Sequence, residues 1–268
     1  MNETVKYHND LNSVSMRTWS ADEMNMFFTI IAKIKNEGYR EITLDTDEIK
    51  ELIKFKPRHK ERWEKVMIGV SEKIADLKYR YEDNQFYRVI NLFTFFEIDK
   101  ENKTLKVAVS EQFEYILNQL DIQFTYYKLE EFVDIKSTYA KTAYRLFKQW
   151  KTTGKIKFEI DKFKRKLDIP NSYGISNIDN RVIKPIISEL TAYFDNLKVK
   201  KLKSNSRGTP VIGYEFTWKP ETTGLWIDFD SNNDSGELIE PVPMINWLKE
   251  LTDQILSGHP IYTHRVPA

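Results

Sequence analysis

The 268-residue sequence predicts an α+β fold in which one plan of elements is written twice and followed by a tail. Three observations lead there. Segment 156–167, IKFEIDKFKRKL, matches 42–53, ITLDTDEIKELI, at a constant offset of 114, pairing Ile42 with Ile156, Leu44 with Phe158, Asp47 with Asp161 and Ile53 with Leu167. The helical patterns that follow match at an offset of 116: Val66 with Val182, Met67 with Ile183, Val70 with Ile186 and Ile74 with Leu190. Each copy then closes with alternating extended runs around a turn.

The elements follow in order. Ser20 and Glu23 make a capping box ahead of Met24, Phe27, Phe28, Ile31 and Ile34, so a helix opens at Ala21 and ends before Gly38. A short strand at Ile42–Leu44 leads into a helix from Thr46 to Ile53, which Pro57 terminates. A further helix spans Lys60–Leu77, with Trp63, Val66, Met67, Val70 and Ile74 on its apolar face. Extended segments flank the turn Glu82-Asp83-Asn84, and Phe93–Ile98 with Leu105–Val109 form another hairpin. The second copy begins with a capped helix, Ser137–Trp150, expected to bury Tyr139, Ala140, Ala143, Tyr144, Phe147 and Trp150. Ser176 and Asp179 suggest a capping box for its last helix, in which Pro185 should produce a kink. Leu197–Lys203 and Val211–Trp218 complete it as a hairpin, with Ile212, Tyr214, Phe216 and Trp218 expected on the packed face. Helix, strand, helix, turn, helix and hairpin is the plan of a helix-turn-helix with a β-wing. The expectation is therefore two winged-helix domains, 1–125 and 126–220, followed by 221–268 as an acidic linker and a short helix.

The net charge of +1 conceals an asymmetry along the chain. Residues 1–144 carry a net charge of −3, residues 145–220 carry +10 from 17 basic and 7 acidic side chains, and residues 221–268 carry −6. A +10 block over a whole folded segment is the electrostatic footprint expected of a polyanion-binding domain. A helix-turn-helix lays its second helix in the major groove with the first residues at base edges. Asn177, Asn180, Arg181 and Lys184 lie near that helix's start, and Arg and Asn offer the bidentate patterns that suit guanine and adenine. Lys200, Lys201, Lys203 and Arg207 are expected at the second wing's tip, where phosphates would relieve their mutual repulsion. In the first copy, Lys56, Arg58, Lys60 and Arg62 surround the start of the corresponding helix. Its wing tip reads as acidic at Glu82 and Asp83, so its hold on DNA should be weaker.

Several function classes are excluded or disfavoured. With no cysteine there are no disulfides, thiolate metal sites or cysteine nucleophiles. No GxxxxGK[ST] motif is present, and His8, His59, His259 and His264 form neither HxH nor HExxH. Neither a cofactor, a resident metal nor a catalytic residue is expected, and the reading is not that of an enzyme. The apolar runs are too short for a membrane span, and the first ten residues lack the apolar region of a secretory signal, so a cytoplasmic protein is expected.

Three stretches carry a family resemblance: Tyr7–Asn12 (YHNDLN), Leu129–Trp150 with its KSTYA and YRLFKQW runs, and Asn180–Leu190 (NRVIKPIISEL). Over about residues 5–218 the chain resembles the iteron-binding replication initiators of theta-replicating plasmids, particularly those of low-GC Gram-positive bacteria. The resemblance implies binding of double-stranded DNA at directly repeated origin sequences as a monomer, opening of adjacent AT-rich DNA, and loading of a helicase by host replication proteins. It also implies a homodimer in equilibrium with the monomer, formed mainly through the first domain and repressing the protein's own gene. A sequence-specific transcriptional repressor fits the tandem domains nearly as well; a nucleic-acid-processing enzyme is the weaker alternative.

Overall fold

The computed structural model describes residues 3–35, 37–56, 61–82, 85–111, 114–118, 124–206 and 208–221. The expected linker and helix of 222–268 lie outside the described residues, as do Arg58, His59, Lys60 and Arg207.

The first half is built around α1 (Ala21–Ile34), opened by the expected capping box: the Ser20 amide donates to Glu23 Oε2 at 2.6 Å, and the Glu23 amide donates to Ser20 Oγ at 3.3 Å. Met24, Met26, Phe27, Phe28, Ile30 and Ile31 are all fully buried, and Asn25 and Thr29 are buried with them, so α1 is covered on nearly every side and sits at the centre of the core. Around it lie β2 (Ile42–Asp45), α2 (Thr46–Leu52) and α3 (Glu61–Ala75), which buries Trp63, Met67, Val70 and Ile74 as its spacing predicts. A hairpin, β3 (Lys78–Glu82) with β4 (Tyr87–Asn91), precedes β5 (Phe93–Asp99) and β6 (Thr104–Val109). A short α4 (Tyr115–Asn118) follows.

In the second half, β7 (Phe124–Lys128) leads through α5 (Leu129–Asp134) to α6 (Thr138–Gln149), β8 (Lys155–Glu159) and α7 (Ile160–Lys166). Then come α8 (Ile175–Ile178), a π-helical turn (Asp179–Ile183), α9 (Lys184–Leu190), β9 (Lys198–Lys203) and β10 (Val211–Thr217).

The repeat is real in three dimensions. One sheet has the order β2-β6-β5 and the other β8-β10-β9, so β2 corresponds to β8, β6 to β10 and β5 to β9. This equivalence corrects the placement of the first wing. The pair in the wing's position is β5–β6, turning through 100–103, whereas the strands flanking Asp83 and Asn84 are an additional hairpin that forms its own two-stranded sheet.

A strand unanticipated from the sequence joins the halves. β1 (Thr4–His8) pairs antiparallel with β7, from Thr4 opposite Lys128 to His8 opposite Phe124, and buries Val5 and Tyr7. A division at 125/126 would thus fall inside β7, and one continuous core takes side chains from both halves. The YHNDLN run serves this junction. Tyr7 donates to Asn12 Oδ1 at 3.0 Å, while Asn12 Nδ2 donates to Thr125 Oγ1 at 2.8 Å and to Gln149 Oε1 at 3.1 Å.

α6 departs from its expected face at Tyr139, which is only half-buried, and in two further ways. Trp150 is 44% exposed because the helix ends at Gln149 and Trp150 is the C-cap, with φ −109°, off the helical stripe. Lys141 and Arg145, polar on any hydropathy scale, are buried one turn apart. Lys141 Nζ donates to Asn25 Oδ1 and to the Phe132 carbonyl, both at 2.5 Å, and the Arg145 guanidinium lies 4.8 Å from the Phe28 ring. Both cations therefore occupy the seam where α6 meets α1 and α5.

Candidate nucleic-acid interface

α8, the π-helical turn and α9 run as one helix over 175–190, since Ile178, Asp179, Ile183 and Lys184 at their joints all keep right-handed helical angles. Pro185 explains the π-helical turn. Lacking an N–H, it cannot bond back to the carbonyl of residue 181, and the helix widens just before it, with the Lys184 amide donating to the Asp179 carbonyl five residues back. The expected kink is absorbed as a local change of pitch. Every fourth residue, Ile178, Val182, Ile186 and Leu190, is buried, with Ile183 beside them.

The helix starts two residues earlier than its sequence signal suggests. Gly174 is the N-cap, with no side-chain cap, so Ser176 and Asp179 lie inside the helix rather than forming a capping box. The Asp179 carboxylate is used differently: Lys201 Nζ donates to Oδ2 at 2.5 Å and the Tyr214 hydroxyl donates to Oδ1 at 3.1 Å. Burial, and then the Asp179 charge, push the Tyr214 pKa well above that of a free phenol, so it remains a donor. One carboxylate on the helix thereby fastens both strands of the wing.

Asn177, Asn180, Arg181 and Lys184 are all exposed, at spacings of three, four and seven residues that place them on one face opposite the buried row. Asn177 sits on the first turn, where its amide makes no hydrogen bond among the described residues. Asn180 Nδ2 donates back to the Ser176 carbonyl at 3.0 Å. Arg181 Nη1 donates to the Tyr173 hydroxyl at 3.2 Å and its guanidinium lies 5.5 Å from that ring, which limits the orientations of its long side chain.

On the wing, Lys200 and Lys203 are exposed and make no ion pair among the described residues. Lys201 differs from them because its charge is committed to Asp179. The simple alternation read from β10 fails at one point. A register shift between Val211 and Gly213 leaves Ile212 48% exposed, while Tyr214, Phe216 and Trp218 pack as expected. Gly213 is required there: a Cβ at this position would lie 2.2 Å from the Phe158 carbonyl oxygen on β8.

The first half offers fewer uncommitted cations. Arg62 Nη2 is 2.7 Å from Asp22 Oδ2, which ties α3 to α1, whereas Lys56 is exposed and unpaired among the described residues. On the β2-β6-β5 sheet Lys103 pairs with Asp47 at 2.7 Å, Lys106 with Glu97 at 3.1 Å and Lys100 with Glu64 at 3.5 Å. The charge asymmetry along the sequence is thus also an asymmetry between the two wings.

Comparison with known proteins matches this geometry to a family. A model described as Initiator Replication protein, WH1, covers residues 4–148, and one described as Initiator Rep protein, WH2, covers residues 159–218. The chain belongs to the initiator replication protein family. A relative within it, described as probable replication protein rep of Bifidobacterium longum (strain NCC 2705), is 32% identical over 225 residues, 82% of this chain and 74% of the relative. The fold is also that of a Pi initiator protein crystallised in complex with iteron DNA, with a TM-score of 0.64 over 82% of this chain and 99% of that one, at 13% identity. The tandem winged-helix plan read from the internal repeat is that of this initiator family, although the first family model runs to residue 148 and so takes in α6. Two of the stretches that carry the resemblance meet in space: Glu189 of NRVIKPIISEL accepts from the Lys136 amide at 2.6 Å and from the Ser137 amide at 3.1 Å, bracing the start of α6.

Proposed function

We propose that this initiator binds directly repeated duplex DNA at a plasmid origin, with the 175–190 helix reading bases and the second wing holding the backbone. The observation that carries the reading is the joint geometry of helix and wing. One outward face presents Asn177, Asn180, Arg181 and Lys184, and an Asp179 clamp holds a wing bearing unpaired Lys200 and Lys203 against the same helix. Bidentate donors at a helix start suit base edges in the major groove, and unpaired lysines on the adjoining hairpin suit phosphates. Lys201 positions the wing, and Arg207 joins the phosphate contacts. Lys56, Arg58 and Lys60 give the first winged helix a weaker hold on the same duplex, while Arg62, paired with Asp22, braces α3 against α1.

Binding several repeats side by side would strain the neighbouring AT-rich duplex and give host replication proteins a platform for helicase loading. A homodimer in equilibrium with the monomer, formed through the first domain, would occupy an inverted repeat and repress the gene. The role requires no catalysis by the chain and no cofactor, and it places the protein with its plasmid in the cytoplasm. Footprinting of purified protein on the DNA flanking its gene tests the reading. Protection of several direct repeats is expected; protection of a lone palindrome would instead establish the repressor.

A further inference from the structure

A cleft of about 460 Å³ lies apart from the helix and wing assigned above. One wall is the segment 12–15 that follows β1; the other is made by the end of α6, β8 and α7. Its volume falls in the roughly 300–1,000 Å³ range of small-molecule sites.

Four cations line it. Lys162, Arg165 and Lys166 stand at i, i+3 and i+4 on α7, hence on one face of that helix, and Lys157 is part of the lining contributed by β8. Lys162 reaches Glu159 at 3.4 Å, but Lys157, Arg165 and Lys166 make no ion pair among the described residues. The acid in the lining, Asp168, is already engaged: it accepts from Ser15 Oγ at 2.7 Å and from the Met16 amide at 3.1 Å. It holds this position at φ 54°, in the left-handed region, so the chain bends sharply to make a clasp between segment 12–15 and the end of α7. The opposite corner is fixed by Asn12, bonded to Gln149 and Thr125. The walls are therefore preformed. Trp150, displaced from the core by the end of α6, contributes an exposed indole to the lining.

Three cations without an ion-pair partner among the described residues, beside an exposed indole ring, call for a ligand that is anionic at one end and flat and aromatic at the other. We propose that this cleft binds a nucleoside phosphate, with the base stacked on Trp150 and the phosphates held by Lys157, Arg165 and Lys166. Stacking and point charges read neither base identity nor sequence, so the site is tolerant of the base. The same chemistry has two sources, a free nucleotide or one nucleotide of a DNA strand. The proposal does not depend on the assignment of the 175–190 helix, because none of that helix's residues line the cleft.

The test uses the full chain and three probes: a fluorescently labelled deoxyadenosine triphosphate, a short single-stranded oligodeoxynucleotide, and inorganic tripolyphosphate. Wild type is compared with Trp150→Ala and with Arg165→Ala/Lys166→Ala, each shown by circular dichroism and thermal unfolding to be folded. The expected result is saturable nucleotide binding, weakened about tenfold or more by Trp150→Ala, as loss of one base stack predicts, and at least as much by the double variant. Binding of the oligonucleotide alone, with the same sensitivity to both variants, supports the site and assigns its source to a DNA strand. Tripolyphosphate binding as tightly as the nucleotide, with Trp150→Ala without effect, overturns the proposal in favour of a bare anion site. Absence of binding by both the nucleotide and the oligonucleotide also overturns it.

Discussion

Lys141 gives the junction between the two halves a measurable pH signature. Its amine is fully buried and donates two hydrogen bonds, to Asn25 Oδ1 and to the Phe132 carbonyl. A neutral amine has two N–H donors, so these acceptors satisfy it; the third proton of an ammonium has the Phe132 ring face, 4.1 Å from Nζ to centroid. Burial, followed by the nearby positive charge of Lys136, lowers its pKa from 10.5 to about 7, against the opposing pull of Glu189, Asp22 and Asp134. The unfolded chain holds this proton up to about pH 10.4 and the folded chain releases it near 7, so folding above pH 7 expels a proton. Stability from this group therefore rises with pH between about 7 and 10.5 and is flat below 7, where both states are protonated. At about 1.36 kcal/mol per pH unit, the gain between pH 7.5 and 9 is about 2 kcal/mol. Urea unfolding of wild type and Lys141→Met at both pH values isolates the effect. At pH 7 the variant loses two hydrogen bonds but also the desolvated charge, so the readout is the slope and not the absolute stability. The wild type should gain about 2 kcal/mol more than the variant over this interval. Parallel pH profiles would show that the amine is hydrated or keeps its proton in the fold.

Three further outcomes are expected. Arg181→Ala should cost ~1–3 kcal/mol on the specific duplex and little on a random one; equal losses on both, measured by fluorescence anisotropy, would reduce Arg181 to a phosphate contact. Lys200→Ala/Lys203→Ala should flatten the slope of log K against log salt by about 1.8, at roughly 0.9 per phosphate, whereas Lys201→Ala, whose charge is held by Asp179, should change it much less. An unchanged slope in the double variant would remove the wing from the backbone contact. Gly213→Ala drives a Cβ to 2.2 Å from the Phe158 carbonyl oxygen in the centre of the second sheet, so it should lower stability by about 1–3 kcal/mol in denaturant unfolding; wild-type stability would show that β8 and β10 separate without cost.

What the sequence determined by itself was local and periodic. The Ser20–Glu23 capping box, the buried faces of α1 and α3, and the correspondence of β2 with β8 all follow from residue order, because capping and periodicity involve neighbours a few positions apart. The outward face of Asn177, Asn180, Arg181 and Lys184 is legible for the same reason, since it is the complement of the row at 178, 182, 186 and 190. Tertiary structure decided whatever depends on contacts distant along the chain. Asp179 looks like a capping residue in sequence, and only the approach of β9 and β10 makes it the clamp for Lys201 and Tyr214. β1 is not legible as a strand in the sequence because its partner, β7, lies more than a hundred residues away. Lys141 and Arg145 mark a polar stretch of α6 in sequence, yet they are buried because α1 and α5 close over them. Nearest-neighbour pattern assigns the elements; which charges remain free to meet a partner depends on what the folded chain sets beside them.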